Sequence, residues 1–188
     1  LEKEMLKNFA ILDVETTGGK FNEEKITDIS ILVYDGLNVV TKFESLINPE
    51  KDIQPFVQRL TGINSELIKN SPIFKDVSKK IFDITKDKII VAHNVDFDYR
   101  IIKNEFQNIN IKFQRDVLCT VELSRLILPN LKSYKLSNLL SNFGIVNNNP
   151  HRANSDALAA LNLFKILIDN DLEMKIIKSN IKSNNNDQ

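Results

Sequence analysis

A chain of 188 residues with 25 basic and 25 acidic side chains has a formal net charge of zero. Proteins that coat long duplexes are strongly basic, so this composition excludes that class and leaves room for a local nucleic-acid contact. The single cysteine, Cys119, excludes an internal disulfide and a multi-cysteine zinc site. No apolar run approaches the roughly 20 residues that a membrane helix needs. We therefore expect one globular domain in a reducing cytoplasm, with no membrane partner.

The first predicted element is a buried strand that ends in two acids. The apolar run Phe9-Ala10-Ile11-Leu12 leads directly into Asp13-Val14-Glu15-Thr16-Thr17-Gly18-Gly19. A short apolar run bounded by turn residues is typical of a strand buried on both faces. Residues two apart on a strand share a side, so Asp13 and Glu15 should project together, with Val14 toward the core. Converging carboxylates favour Mg²⁺ or Mn²⁺, although this stretch alone is equally typical of a solvated acidic turn.

The next segments predict an antiparallel pair of strands and a short helix. Residues 25–34 are β-branched and partly alternating, which predicts a second strand. Asp35-Gly36 is a strong hairpin signal, and a third strand is expected at 37–47. A short helix and turn should follow at 54–63, ending at Thr61-Gly62.

Beyond residue 70 the pattern alternates between helices and short strands. Ser71-Pro72 predicts a helix start with the serine as N-cap. Ile89–Ala92 predicts a buried fourth strand, and a fifth is expected near 109–113. Amphipathic helices are also expected at 97–106, 120–128, 136–143 and in the segment after His151. This order predicts an α/β fold with a mixed five-stranded sheet, three antiparallel strands then parallel strands, flanked by helices.

Further acids fall at the ends of later elements. Asp98 opens the helix after the fourth strand, and Asp156 opens the final helix, shortly after His151. Residues two apart on a helix point about 200° apart, so only Asp98, and not its neighbour Asp96, is expected to face a shared site. Alone, Asp156 could simply complement a helix N-terminus and His151 could be an ordinary loop residue. Their order, each at the end of a buried element, favours a common site.

Three motifs together resemble the DEDDh branch of the DEDD exonucleases. Asp13-Val14-Glu15-Thr16-Thr17-Gly18 resembles the first motif, and His93-Asn94-Val95-Asp96-Phe97-Asp98 resembles the second. His151, followed after four residues by Asp156, resembles the third. The tyrosine branch of the same family would carry a tyrosine at the position of Arg152.

The similarity is greatest to the proofreading exonuclease of bacterial DNA polymerase III, either the epsilon subunit or the domain within PolC-type polymerases. It implies an RNase H-like fold and stepwise removal of nucleotides from a 3′ end. The resemblance assigns residues 8–170 to the exonuclease domain. Residues 1–7 would be an N-terminal extension and 171–188 a polar tail, of which 182–188 should have nothing to pack against.

The resemblance also implies a role for each acid. Two Mg²⁺ or Mn²⁺ ions would activate the water, stabilise the pentacovalent phosphate and neutralise the leaving oxygen. Asp13 would bridge the ions, Glu15 and Asp156 would bind the ion near the water, and Asp98 would support the other ion through water. His151 is the expected general base, because an ordinary imidazole can accept a proton near neutral pH.

The expected substrate is a frayed, single-stranded or mispaired 3′ end of DNA, released as nucleoside 5′-monophosphates in replication proofreading. A DNA polymerase catalytic subunit is the candidate partner. An RNA-directed member of the branch, such as an oligoribonuclease or an RNase T-like enzyme, is an open alternative. A non-catalytic domain of a replication complex is a third, against which the intact acid set argues. The resemblance suggests nucleotide contacts from Val14, Thr16, Thr17, Gly18, Thr61 and Asn94.

Overall fold

The computed structural model describes residues 9–171 and 173–183, and a five-stranded sheet lies at its centre. The strands are β1 (Phe9–Thr16), β2 (Ile26–Tyr34), β3 (Val39–Leu46), β4 (Ile89–Ala92) and β5 (Val117–Cys119). Their spatial order is β3-β2-β1-β4-β5, with β1 antiparallel to β2 and parallel to β4. This confirms the predicted mixed α/β fold. Because β1 is the middle strand, elements on both faces of the sheet can reach its end.

Helices cover both faces of this sheet. In the described part of the chain they are α1 (Pro55–Thr61), α2 (Ser65–Ile68), α3 (Phe74–Thr85), α4 (Val95–Asn108), α5 (Thr120–Ile127), α6 (Leu136–Asn142), α7 (Ala153–Asn170) and α8 (Lys175–Ser179). None of these described helices combines the length and apolar character needed to span a bilayer.

Alternate residues of β1 enter two different cores. Leu12 and Val14 join a core that includes residues of α3 and α4, such as Phe106. Phe9 and Ile11 join a second core with residues of α5, α6 and α7. Since side chains alternate along a strand, Asp13 and Glu15 project on the same side as Phe9 and Ile11, toward α7. The predicted inward direction of Val14 is confirmed.

The hairpin between β2 and β3 forms at the predicted turn. The Asp35 carboxylate accepts hydrogen bonds from the Leu37 and Asn38 N–H groups, at 2.8 and 2.7 Å. Gly36 has a φ of +92°, which L side chains rarely adopt. The turn therefore sets the register in which β3 lies against β2.

The predicted start of the helix after residue 70 is wrong. Helix α3 begins at Phe74, and Ser71 is not its N-cap. The Pro72 carbonyl instead accepts a hydrogen bond from the Asn48 N–H, and Ile73 forms an isolated parallel bridge with Asn48. This pairing with the segment after β3 keeps residues 72–73 extended. Local N-cap preference is overridden by a contact that is distant in sequence.

The fifth strand lies at Val117–Cys119, and the prediction of a strand at 109–113 is wrong. Residues after α4 are used to end that helix: the Ile111 N–H donates to the Phe106 carbonyl at 2.9 Å, around Asn110 with a φ of +59°. Phe113 then stacks on Phe106, with ring centroids 4.5 Å apart. The apolar residues of this segment therefore pack against the helix rather than pairing with the sheet.

The end of the described chain packs against the domain. In the short helix α8, Ile177 is fully buried in the second core. Lys182 exchanges two backbone hydrogen bonds with Val117 of β5, and the Ser183 hydroxyl donates to Asp116. The prediction that residues from 182 onward do not pack is therefore wrong for Lys182 and Ser183. Residues 184–188 and the extension at 1–7 lie outside the described residues, and the domain boundaries themselves stay a prediction.

Gly18 allows the loop after β1 to lie against α1. Its φ is +67°, and a Cβ atom there would lie 2.9 Å from Val57 Cγ2 and 3.0 Å from Gln54 Oε1. The Gln54 N–H also donates to the Thr17 carbonyl, at 2.9 Å. Both backbone conformation and close approach therefore require glycine at this position.

Gly18→Ala should lower the free energy of unfolding by about 1–3 kcal/mol, because a left-handed backbone and a close contact would both be penalised. Gly144→Ala is the control. Gly144 has a nearly identical φ of +66° but open space around the added Cβ. Urea denaturation should show a larger loss for Gly18→Ala. Equal losses would mean that Val57 imposes no constraint on the loop.

Candidate active site

Four carboxylates converge at the end of β1. Asp13 and Glu15 come from β1, Asp98 from the first turn of α4 and Asp156 from the first turn of α7. The pKa of Asp13 is raised well above its usual value, chiefly by burial and then by repulsion from Asp98, Glu15 and Asp156. The β1 strand and two helices on opposite faces of the sheet thus bring all four predicted acids into one electrostatic cluster.

Asp98 is the acid of its helix that faces this cluster. Its side chain is buried, and its Oδ1 accepts a hydrogen bond from the Val14 N–H at 3.0 Å. Burial raises the pKa of Asp98 to about 7 even though that hydrogen bond favours the charged form. Asp96, two residues earlier, is exposed. The predicted orientation of these two neighbours is confirmed.

Glu15, His151 and Asp156 form the most open side of the cluster. One ligand atom from each lies within 4.8 Å of the others. The pKa of Glu15 is raised to about 8, first by burial and then by repulsion from Asp156 and Asp28. The His151 N–H donates to Asp156 Oδ2 at 2.9 Å, and Asn147 donates its amide to the other carboxylate oxygen. The His151 backbone and the Asp156 carboxylate are therefore held together directly.

This donor set fits a hard divalent cation. A carboxylate oxygen of Glu15 and one of Asp156 lie within 4.8 Å of each other, close enough for both residues to bind one ion. Buried carboxylates that repel one another favour either protonation or a bound cation. The raised pKa values of Asp13, Glu15 and Asp98 follow from this burial and from the repulsion between the carboxylates. The residues present are therefore suited to Mg²⁺ or Mn²⁺.

The second histidine of the sequence serves a different purpose. His93 is within hydrogen-bond distance of Thr120 Oγ1 (2.9 Å) and the Tyr134 carbonyl (3.1 Å), so both ring nitrogens have protein partners. Burial lowers the pKa of His93. His151, in contrast, is exposed. Of the two histidines, His151 is the one open to a substrate.

The loop after β1 has most of its polar groups satisfied internally. The Thr16 hydroxyl accepts a hydrogen bond from the Gly18 N–H at 3.2 Å. Thr17 is fully buried, and its hydroxyl donates to the Gly18 carbonyl and accepts from the Lys25 N–H. These contacts indicate that Thr17 braces the loop. The nucleotide contacts expected for this loop stay a prediction.

The remaining predicted nucleotide contacts lie around the same cluster or on α1. The Thr61 hydroxyl is buried and donates to the Val57 carbonyl, so it too has an internal partner. Asn94 is exposed, with a φ of +73°, at the residue before α4. The Val14 side chain lies in the core, so any nucleotide contact it makes must come from its backbone.

Three polar residues that the motifs did not identify also lie beside the cluster. Asp28 of β2 pairs opposite Glu15 of β1, and its Oδ2 accepts a hydrogen bond from Arg152 Nε at 2.9 Å. Asn147 binds the Asp156 carboxylate. Only the register between β1 and β2 could have indicated Asp28, because no local pattern marks it. Asn147 lies in a loop with no distinguishing pattern.

Metal-free protein should lose stability as the pH rises from about 4 to 8. Glu15 and Asp98 have raised pKa values in the folded state, about 8 and about 7, so the unfolded chain releases these protons first. The stability that these two groups contribute to the fold is complete below their pKa values in the unfolded chain. It is lost as the pH rises through their pKa values in the folded protein. The thermal midpoint, measured in EDTA from pH 4 to 8.5, should fall over this range.

Glu15→Gln should flatten this dependence, whereas Glu23→Gln, at an exposed position, should preserve it. Adding Mg²⁺ at pH 8 should raise the midpoint of the unmodified protein, because a ligand that binds the folded state stabilises it. A midpoint that rises with pH in EDTA would contradict the buried, repelling cluster.

A sequence model of the Exonuclease family matches residues 10–164, a range that contains all five residues of the cluster. The 3′-5′ exonuclease DinG of Staphylococcus haemolyticus (strain JCSC1435) is 39% identical over 151 residues, covering 80% of this chain and 17% of that protein. DinG of Staphylococcus aureus (strain USA300) is 36% identical over 159 residues, covering 84% and 18%. The chain therefore spans less than a fifth of the length of these curated relatives.

Solved structures share the fold at low sequence identity. The E. coli Exonuclease I complex with a dT13 oligonucleotide has a TM-score of 0.79 at 18% identity, covering 89% of this chain and 42% of that one. The nuclease domain of 3′hExo, a DEDDh family member bound to rAMP, has a TM-score of 0.76 at 17% identity, covering 89% and 94%. Because the family model matches residues 10–164 and a relative is 39% identical over 80% of the chain, the chain belongs to the Exonuclease family.

Proposed function

We propose that this chain is a metal-dependent 3′–5′ exonuclease that hydrolyses single-stranded or mispaired 3′ ends to nucleoside 5′-monophosphates. The observation that carries the proposal is the convergence of four acids beside one open histidine: Asp13, Glu15, Asp98, Asp156 and His151. The name of the Staphylococcus relatives, 3′-5′ exonuclease DinG, supports the polarity.

In this proposal the four carboxylates would hold two Mg²⁺ or Mn²⁺ ions. When bound, such ions polarise the phosphate, activate the attacking water and neutralise the leaving oxygen. Asp13 interacts with each of the other three acids, which suits it to contact both ions. Glu15 and Asp156, on the His151 side, would hold the ion nearest the water. Asp98, from the helix on the opposite face of the sheet and anchored by the Val14 N–H, would support the second.

His151 is the proposed general base. Its imidazole is exposed and lies beside Glu15 and Asp156, so it can reach a water at the edge of the carboxylate cluster. A neutral imidazole would accept the proton of that water as the water attacks the phosphorus. The hydrogen bond from the His151 N–H to Asp156 keeps the base near the acids during this transfer.

DNA is the proposed substrate, and replication proofreading is the proposed role. During replication the enzyme would remove mispaired nucleotides from 3′ ends. Its partner would be a DNA polymerase catalytic subunit. The resemblance of the three motifs to the proofreading exonuclease of DNA polymerase III supports that role. Cys119 is buried and forms no disulfide, which is consistent with a reducing cytoplasm. An RNA-directed activity is the second candidate, because one solved neighbour carries rAMP.

Single-stranded and mispaired 3′ ends should be degraded faster than paired ends, because a paired terminal nucleotide must first be unpaired and unstacked, which costs free energy. A 5′-labelled DNA oligomer and its RNA counterpart, each incubated with Mg²⁺, should yield ladders shortened one nucleotide at a time from the 3′ end. A faster rate on RNA would favour the second candidate. Internal nicking of a circular single strand would contradict an exonuclease.

Asp98→Asn should reduce turnover about 100-fold or more, because a carboxylate supporting the bound ions would be lost. The asparagine can still accept the Val14 N–H, so metal-free thermal stability should not fall. Asp96→Asn is the matched control, since Asp96 is exposed two residues away on the same helix. Comparable activity loss in both variants would remove the assignment of Asp98 to the site.

A further inference from the structure

The segment between His151 and α7 is held from two directions. Toward the acids, the His151 N–H donates to Asp156 Oδ2 at 2.9 Å. Away from them, Asp28 Oδ2 accepts hydrogen bonds from Arg152 Nε at 2.9 Å and from the Ala153 N–H at 3.3 Å. Asp28 is buried on β2, so this second anchor is fixed to the sheet itself.

The backbone of His151 needs such anchors. Its φ of +63° is uncommon for a residue with a side chain, and conformations of this kind persist where surrounding contacts hold them. Arg152 is the next residue along the chain and has an extended backbone. A side chain tied to Asp28 therefore fixes the direction in which the chain leaves His151. Without it, the segment would still be held by the hydrogen bonds of the His151 N–H to Asp156 and of the Ala153 N–H to Asp28, together with the start of α7.

We propose that the Asp28–Arg152 pair is a positioning device for His151, which keeps the imidazole beside Glu15 and Asp156. This inference rests on the proposed role of His151 as general base. In this scheme the pair touches neither the substrate nor the ions, and it positions the base through the backbone of the residue that follows it. Its charges also reach Glu15, where the effects of Asp28 and Arg152 on the pKa oppose each other. The nucleotide 3′ end should therefore bind normally when the pair is broken.

A second ion pair in the protein provides a matched control. Lys25 Nζ lies 2.9 Å from Glu105 Oε2, with side-chain exposures of 30% and 5%, compared with 30% and 8% for Arg152 and Asp28. Glu105 also accepts a backbone N–H, that of Ile26, just as Asp28 accepts that of Ala153. Lys25→Met and Arg152→Met should thus impose similar structural costs, and only the second should affect the base.

Arg152→Met should lower kcat about 10- to 100-fold with little change in KM, because small displacements of a reacting group are costly. Asp28→Ala, which removes the acceptor of both hydrogen bonds, should also lower kcat. The two variants change the charge near the acids in opposite directions, so a purely electrostatic role predicts opposite effects. Arg152→Lys should recover part of the loss. Lys25→Met should leave kcat unchanged and provides the reference for any shift in thermal midpoint.

The decisive measurement combines Arg152→Met with His151→Gln. His151→Gln alone should reduce kcat about 10²- to 10⁴-fold, the usual contribution of a general base. Adding Arg152→Met should then cause little further loss, because there is no base left to position. Affinity for Mn²⁺, measured by titration on each protein, should stay the same.

Several results would overturn the positioning role. If Arg152→Met lowered kcat as much in the His151→Gln background as in the unmodified protein, Arg152 would act on a group other than His151. Weakened Mn²⁺ binding in Arg152→Met would show that the pair supports Asp156 instead. An equal loss of kcat in Lys25→Met would mean that Arg152→Met acts through a general loss of stability and not through His151. Normal turnover in His151→Gln would overturn both the general base and the positioning role, while cleavage by the unmodified protein would keep the exonuclease proposal intact.

Discussion

The burial of like charges at the end of β1 is the constraint on which the rest of the structure depends. Asp13 and Glu15 project from a central strand, and further carboxylates face them from α4 and α7. Burial and mutual repulsion raise their pKa values, so the metal-free cluster opposes folding at neutral pH. The rest of the fold must therefore be stable enough to offset the free energy that this cluster costs.

That scaffold is built to bring two helices close to one strand from opposite faces. On one face, the Asp98 carboxylate accepts the Val14 N–H, which ties the start of α4 directly to β1. On the other face, α7 presents the small buried residues Ala157 and Ala160 toward the sheet. Small side chains permit a close approach of the helix, so Asp156 lies within reach of Glu15. Each acid is thus placed by backbone packing rather than by the flexibility of its own side chain.

The convergence of the acids and His151 at one place could be predicted because their signals are local. Asp13 and Glu15 follow a buried run directly, and Asp98 and Asp156 fall in the first turns of helices, so short motifs were sufficient. Features that depend on distant pairing could not be predicted in the same way. The start of α3 is set by the bridge between Asn48 and Ile73, and the role of Asp28 depends on the register of β2 against β1.

The last described segment bears on how the sheet is protected at its edge. Strand β5 ends the sheet, and Lys182 pairs with Val117 there while Ile177 fills the adjoining core. An open strand edge presents unpaired N–H and C=O groups that can template association with another chain. A protein cut at residue 170 would expose both that edge and the apolar surface that Ile177 covers. Residues 173–183 therefore cover a strand edge and an apolar surface that would otherwise be open to another chain, a contribution to solubility that is separate from any part in catalysis.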